Sequence, residues 1–370
     1  MNHPLRHCLD WQHEPAVVFE SDDWGACEHA PSAGEWKRQL AATPPAAWPP
    51  YFNAKLESPA EMERLADLLD SVRDAQGRPA RFTAFTCLAN PDFDKISTSG
   101  FTEYYDRFVD EGFPAPWQGE GVVTAWRGAM KRGVWAPEFH TRFHHTHGGD
   151  WLALLRDPGE TGQTARNRFA ARIYSQDRHY PEYRAMSREE IAAWVRPAVA
   201  AFERLFGFRP DAGVTSDATA EVEAVWAECG IRTFCLRNFA IPGAAPLVYH
   251  TKPWNNQDPA TPMGAWNAGT DVIYLSRNIF FEPGFDPAYS FETIMDHVRQ
   301  VWARNEPAVF STHRLNYVNY RPEVAEQGLR ELRRVLKRLA EVPRIRFLTT
   351  REVAALYRHG NLPSPWKTRS

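Results

Sequence analysis

Residues 16–25 read Ala16-Val17-Val18-Phe19-Glu20-Ser21-Asp22-Asp23-Trp24-Gly25. A short apolar run that ends in polar residues and a glycine is typical of a buried strand. Carboxylates beside a buried strand are costly unless they are paired or bind a metal ion. Capping of the next segment would explain one aspartate, but it explains two poorly. We therefore interpret this stretch as the first strand of a sheet, with a chemically active pair of acids at its carboxyl end.

Helices are predicted where a capping signal precedes a periodic apolar pattern. Ser58 and Ser187 each begin such a helix, and a glutamate three residues later completes a capping box. Further helices are expected after Asp217, over about 287–304, after Pro322 and after Thr349. Strand candidates separate these helices, at 81–87, 133–139, 212–216, 231–236, 272–275, 308–312 and 345–348.

This alternation gives seven or eight β/α units. It predicts an α/β protein with a (β/α) barrel, and an open doubly wound sheet is the alternative. We expect a single domain over residues 1–370. The stretches 88–132 and 237–270 are rich in Pro, Gly, Trp and Asn, so we interpret them as loops over the barrel mouth and not as a second domain.

Composition and net charge limit the kinds of molecule that the protein is expected to bind. The formal net charge is -3, which argues against a nucleic-acid partner or an anionic membrane. Residues 1–15 lack the apolar core of a signal peptide, and no apolar run approaches the ~20 residues that cross a bilayer. The 5 cysteines include no CxxC pair, which favours a reducing compartment over a disulfide framework or a zinc–thiolate site. We expect a cytoplasmic protein.

Four histidines lie within eight residues directly after the strand candidate 133–139. His140 and His144 are four residues apart, a spacing that places both imidazoles on one face of a helical turn. His145 and His147 are alternative ligands. Two imidazoles and one carboxylate leave positions open for water and substrate, as in catalytic metal sites. The alternative is a solvated histidine-rich loop.

A fifth candidate histidine, His313, follows the late strand 308–312. A lone histidine is more often structural, but at a strand end of a barrel it could protonate a leaving group. Arg314, Asn316 and Arg142 could orient a substrate or make loop hydrogen bonds. Trp24 lies near the expected mouth, where an aromatic face suits a sugar ring, although core packing is the commoner use of tryptophan.

Three motifs in this order resemble those of the polysaccharide deacetylases of the NodB-homology type, carbohydrate esterase family four. They are Phe19-Glu-Ser-Asp22-Asp23, His140-Thr141-Arg142-Phe143-His144 and Phe310-Ser-Thr-His313. The resemblance runs over roughly residues 15–358 and implies an irregular (β/α)7 barrel. It also implies one divalent ion, Zn²⁺ before Co²⁺, Ni²⁺ or Mn²⁺, bound by Asp23, His140 and His144. By the same resemblance Asp22 is the general base and His313 is the general acid.

The sequence departs from this family at its third motif, Arg-x-Pro-aromatic-Gly. The nearest stretch, Arg209-Pro-Asp-Ala-Gly213, lacks the aromatic residue, so we expect the arginine of this motif to be missing from the site. The segment Ser276-Arg-Asn-Ile-Phe-Phe-Glu-Pro283 is also typical of a divergent branch.

The predicted activity is hydrolysis of an acetyl group from an N-acetylated sugar or polysaccharide, with a metal ion as cofactor. The expected partner is thus a carbohydrate or another acylated small molecule. Two alternatives remain. One is a metal-dependent hydrolase of a non-sugar amide or an O-acetyl ester, and the other is a barrel that binds carbohydrate without turnover.

Overall fold

The predicted first strand is β1, Ala16–Trp24, and every residue of it is buried. The computed structural model describes residues 9–42, 50–144, 148–173, 182–215, 218–237 and 261–361. The other strands in these ranges are β2 (Phe82–Thr86), β3 (Ala89–Pro91), β4 (Asp106–Phe108), β5 (Trp135–Phe139), β6 (Ala212–Gly213), β7 (Thr233–Arg237), β8 (Trp266–Asn267), β9 (Val272–Arg277), β10 (Ile279–Phe280), β11 (Ala308–His313) and β12 (Arg346–Phe347).

The α-helices are distributed over the same ranges. They are α1 (Ala33–Ala42), α2 (Pro59–Asp70), α3 (Phe93–Thr98), α4 (Val122–Lys131), α5 (Gly148–Arg156), α6 (Glu160–Ala170), α7 (Arg188–Phe206), α8 (Ala220–Glu228), α9 (Phe291–Ala303), α10 (Pro322–Ala340) and α11 (Thr350–His359). None of the helices in the described ranges combines the length and the apolar character that a transmembrane span requires.

The main sheet has the strand order β10-β11-β1-β2-β5-β6-β7-β9-β8, and β12 pairs with β1. All pairs in it are parallel except β8 with β9. Only Asn278 separates β9 from β10, although these strands lie near opposite ends of the order. The sheet must therefore curl back on itself at this residue. The predicted α/β class and barrel-type parallel sheet are confirmed.

The two faces of β1 have different neighbours. Val17 and Phe19 pack in the main core with residues of α2 such as Leu65. Ala16 and Val18, on the opposite face, belong to a separate apolar cluster that includes residues of β9 and β11. Side chains alternate between the faces of a strand, so this second face is the inside of the curled sheet.

Local capping signals predicted the helix starts well. The capping boxes at Ser58, Ser187 and Thr349 are all formed. Helix α8 is an exception, because its cap is Thr219, while the predicted cap Asp217 lies outside the described residues. The prediction for 88–132 was wrong, since this stretch contains α3, α4 and a two-stranded sheet of β3 and β4. Glycine enrichment was misleading there, because Gly121 and Gly133 lie just before and just after α4 with positive φ.

Asn278 closes the curled sheet through its side chain as well as its backbone. Its Nδ2 donates to Pro307 O at 3.0 Å, and its Oδ1 accepts from Val309 N at 2.8 Å. Asn278→Ala should lower the free energy of unfolding by about 1–3 kcal/mol, because both backbone partners are left unsatisfied in a buried position. Urea denaturation measures this loss. Asn167→Ala on the exposed face of α6 is the control, with an expected change within about 0.5 kcal/mol. Equal losses in both variants would contradict the closing role.

Candidate metal centre

Asp23, His140 and His144 form a buried cluster at the carboxyl edge of the sheet. One ligand atom from each lies within 4.8 Å of the other two. The Nε2 atoms of His140 and His144 are 3.3 Å and 3.1 Å from Asp23 Oδ1. Two imidazole nitrogens and one carboxylate oxygen are the donor set of a catalytic metal site with open positions. The cluster can therefore bind one divalent ion.

The charge around the cluster also suits a cation. Burial on its own would lower the pKa of His144, but the facing carboxylates of Glu28 and Asp23 raise it to about 9. The surroundings thus stabilise positive charge at this point, which is the property that a divalent ion needs.

Unusual backbone conformations bring the three candidate ligands to the cluster. Asp23 has φ +73° and lies where the register between β1 and β2 shifts. His140 directly follows β5, and Thr141 has φ +60°. The segment 140–144 is therefore a bend and not the helical turn that the spacing predicted. The two rings still meet, with centroids 4.7 Å apart.

Glu182 supports this bend, and sequence reasoning missed it. Its Oε1 accepts from Arg142 N at 3.1 Å, from Phe143 N at 2.6 Å and from Trp194 Nε1 at 2.7 Å. The two backbone donors lie between the two candidate metal ligands, so the carboxylate fixes their spacing. Burial raises the pKa of Glu182 to about 7 despite these hydrogen bonds.

Asp22 lies beside the cluster in a bidentate ion pair with Arg277. Its two oxygens accept from Nη1 and Nη2 of the guanidinium at 2.6 Å and 2.7 Å. Arg277 Nε donates to Glu20 Oε2 at 2.5 Å. Burial raises the pKa of Asp22, but the charge and hydrogen bonds of Arg277 outweigh it and hold this pKa well below its usual range.

His313 faces the same edge because it occupies the position paired with Asp22 across β1 and β11. Its Nε2 is 3.8 Å from Asp22 Oδ2, and its Nδ1 donates to Glu282 Oε1 at 2.5 Å. Burial lowers the pKa of His313, but Glu282 more than offsets this effect, so the pKa lies above its usual value. The structure therefore brings together all five residues predicted to ligate or catalyse.

The four residues predicted to bind substrate have side chains that are engaged with other parts of the protein. Trp24 is fully buried against Trp135 and donates to Ser21, so its rings cannot stack on a sugar. Arg142 donates hydrogen bonds to both carboxylate oxygens of Asp106, and its Cζ lies 4.0 Å from the centroid of the Trp194 ring.

Arg314 and Asn316 are likewise used inside the protein. Arg314 donates to Glu57 and to Ala26 O, and Asn316 donates to Glu282. Buried polar groups need such partners, so these side chains support the site and do not line its opening. The alternative ligands His145 and His147, and the segment 238–260, lie outside the described residues.

Asp22 is paired with an arginine that is distant from the 209–213 stretch in the sequence. Arg209 lies at the surface and pairs with Glu203. The guanidinium beside Asp22 comes instead from Arg277, the last residue of β9. The available signal was a charged residue at the end of an apolar strand, in the stretch 276–283 that also holds Glu282.

Arg277 contacts both Asp22 and Glu20 through the hydrogen bonds described above. Arg277→Met should lower the free energy of unfolding by about 3–5 kcal/mol at pH 7, because two buried carboxylates lose their partner. The loss should shrink toward pH 4. Wild type loses the stability that the depressed pKa of Asp22 contributes as pH falls, whereas the variant can bury neutral acids.

Urea denaturation at both pH values measures the two losses. Arg209→Met is the matched control, because its exposed ion pair should contribute less than about 1 kcal/mol. A loss for Arg277→Met that is equal at pH 7 and pH 4 would argue against charge compensation.

No protein-family model matches the chain, and no curated protein matches it in sequence. Solved structures do match. A protein described as a polysaccharide deacetylase from Pseudomonas aeruginosa PAO1 has 11% identity and a TM-score of 0.50, over 97% of this chain and 96% of its own. Puue allantoinase has 12% identity and a TM-score of 0.50, over 97% and 94%. A third structure, described as a polysaccharide deacetylase from Mycobacterium smegmatis, has 12% identity and a TM-score of 0.48, over 100% and 99%. The chain shares the NodB-like (β/α) barrel fold of the first two, as the motif resemblance implied.

Proposed function

We propose that the protein is a metal-dependent hydrolase that removes an acetyl group from an N-acetylated sugar, within one catalytic domain. The observation that carries this proposal is the placement of Asp23, His140 and His144 next to Asp22 and His313. A ligand set with open positions, an acid and a base at one edge of a barrel are the parts that hydrolysis requires.

The metal cluster would supply the electrophile. Asp23, His140 and His144 would hold a divalent ion, and the chemistry that such an ion supplies when bound is polarisation of a carbonyl and activation of water near neutral pH. We propose Zn²⁺ as this ion, because two histidines and one carboxylate are ligands that it favours.

Asp22 would accept the proton of the attacking water. Arg277 occupies one direction at each of its oxygens, and a carboxylate oxygen has a second lone pair for another donor. The guanidinium keeps Asp22 ionised and fixes its orientation, at some cost in basicity.

His313 would give a proton to the departing amine. Its raised pKa favours the charged imidazolium at neutral pH, and Glu282 on Nδ1 leaves Nε2 directed toward Asp22. The amine is a poor leaving group as an anion, so this proton is what makes C–N cleavage feasible.

The comparisons support an amide hydrolase of this fold, because the two structures with a TM-score of 0.50 are described as a polysaccharide deacetylase and an allantoinase. The sugar as substrate, its N-acetyl group and a cytoplasmic location stay predictions. Release of acetate from N-acetylated oligosaccharides, O-acetylated sugars and simple acetamides would separate the deacetylase from its alternatives. Sugar binding by metal-loaded protein, without product from any of the three, would favour the non-catalytic barrel.

Asn variants of the two adjacent aspartates should lose activity for different reasons. Asp23→Asn removes the one charged ligand, so metal content after dialysis should fall and excess Zn²⁺ should restore part of the activity. Asp22→Asn keeps the metal, while turnover should fall by ~10²–10⁴, the usual contribution of a general base. Metal analysis and acetate release measure both effects.

Exhaustive chelation of wild type is the control for these variants. It should abolish acetate release, and added Zn²⁺ or Co²⁺ should restore it. Full activity with no detectable metal would refute the proposed chemistry, and loss of metal from Asp22→Asn alone would reverse the two roles.

The acid role of His313 predicts a particular pH profile. A group with a raised pKa is active as an acid below that pKa and is lost above it, so kcat should decline at alkaline pH. Glu282→Gln preserves a hydrogen-bond acceptor but removes the charge that raises the pKa. The alkaline limb should therefore move to lower pH.

Rates over pH 6–10 for wild type, Glu282→Gln and His313→Ala test this assignment. His313→Ala should lose ~10²–10⁴ in kcat and lose less with substrates that have good leaving groups. An alkaline limb that stays in place in Glu282→Gln would contradict the proposed origin of the pKa.

A further inference from the structure

A buried carboxylate outside the five proposed catalytic residues contacts a metal-ligand candidate directly. His144 Nδ1 donates to Glu28 Oε1, while Nε2 of the same ring lies 3.1 Å from Asp23 Oδ1. Because one ring nitrogen carries the proton for Glu28, the lone pair of the other is directed toward the cluster. Glu28 thus selects the tautomer in which His144 can bind a metal ion.

Glu28 is on the loop that follows β1, and side chains from other segments fix this loop at Gly25 and Cys27. Gly25 N donates to Glu57 Oε1 at 3.0 Å, and Asn90 Nδ2 donates to Gly25 O at 2.9 Å. Cys27 N donates to Asn90 Oδ1 at 2.6 Å. Gly25 has φ +80°, and a Cβ there would lie 3.1 Å from Cys87 O, so the turn itself needs glycine.

Arg314, the residue directly after β11, makes a further contact to this loop at Ala26. Its Nη2 donates to Ala26 O at 2.9 Å, and its Nη1 donates to Glu57 Oε2 at 2.8 Å. Arg314 is fully buried, so its hydrogen bonds are not exchanged with water. The end of β11 is thereby linked to the loop that holds Glu28.

The neighbouring His29 does not compete for Glu28 as a cation. Its Nε2 is 3.6 Å from Glu28 Oε2, but burial lowers its pKa to about 4 despite the carboxylate. His29 is therefore neutral at pH 7, and His144 is the closer and stronger partner of Glu28.

We propose that Glu28 is a positioning residue that sets the metal affinity of the site through His144, and that Arg314 and Glu57 hold it in place. This proposal rests on the proposed metal-binding function. Carboxylates in this position raise the basicity of a ligating histidine and fix its ring, and their removal costs about 10–100-fold in metal affinity.

Competition with a chromophoric chelator measures the Zn²⁺ affinity of wild type, Glu28→Gln and Glu28→Asp. Both variants should bind Zn²⁺ about 10–100-fold more weakly than wild type. Glu28→Gln removes the negative charge, and Glu28→Asp shortens the side chain by one methylene, so that its carboxylate lies farther from His144. Asp74→Asn is the matched control. Asp74 is a buried carboxylate that accepts backbone hydrogen bonds from Arg78 and Phe347 at the opposite end of β1, and its variant should keep wild-type affinity.

Thermal unfolding of each metal-free variant separates positioning from a general loss of stability. If Glu28→Gln does not fold, the Zn²⁺ affinity of Glu28→Asp relative to wild type still tests the proposal. In Zn²⁺-loaded wild type, histidine NMR should show a slowly exchanging Nδ1 proton on His144. Wild-type affinity in a folded Glu28 variant, an equal loss in Asp74→Asn, or a fast-exchanging Nδ1 proton would overturn the proposal. Absence of Zn²⁺ binding by wild type would instead refute the metal-binding function itself.

Discussion

The buried guanidinium of Arg277 is the constraint around which the inner edge of the sheet is arranged. It lies between Glu20 and Asp22, two residues apart on the inward face of β1, and is fully removed from solvent. Carboxylates in such a place require a cation. Because Arg277 is one charge facing two acids, and Asp23 adds a third, negative charge remains in excess where a divalent ion would bind. The same contacts join β9 to β1 across the interior and favour the curled form of the sheet.

The geometry of the site follows from parallel pairing more than from any one side chain. Asp22 and His313 are partners in the register of β1 and β11, so their separation is fixed by the sheet. Asp23 departs from that register at an irregularity of β1 and β2, which turns its carboxylate toward the histidines after β5. Two adjacent and chemically identical acids thereby acquire different neighbours: Asp22 pairs with a guanidinium and Asp23 meets two imidazoles. This difference in surroundings, and not residue type, is the physical basis for assigning them different roles.

Sequence reasoning recovered the features that depend on local patterns. Capping boxes gave the starts of α2 and α7, and apolar runs gave β1 and β11. Strand ends gave the five residues that the structure brings together. It failed where the outcome depends on distant partners. Arg277, Glu282 and Glu182 are ordinary charged residues in the sequence, and they matter because folding buries them against Asp22, His313 and the 140–144 bend. For the same reason the sequence could not show that Arg314 and Asn316 contact Glu57 and Glu282, because a polar residue after a strand can face the opening or hold a loop at the same spacing.

The charged residues around the cluster follow a common arrangement. Three of the five groups expected to move a proton or bind the ion contact a buried partner of opposite charge: Arg277 for Asp22, Glu282 for His313, and Glu28 for His144. Two of these partners are themselves held by a further side chain, Glu282 by Asn316 and Arg277 by Glu20. A metal site with three protein ligands has no fourth one to add rigidity. Its ligands must therefore be held in place by hydrogen bonds from residues that do not contact the metal. Buried ion pairs contribute little net stability on their own. We infer that the chain retains this many of them because an open coordination position is useful only when the groups around it cannot rearrange to fill it.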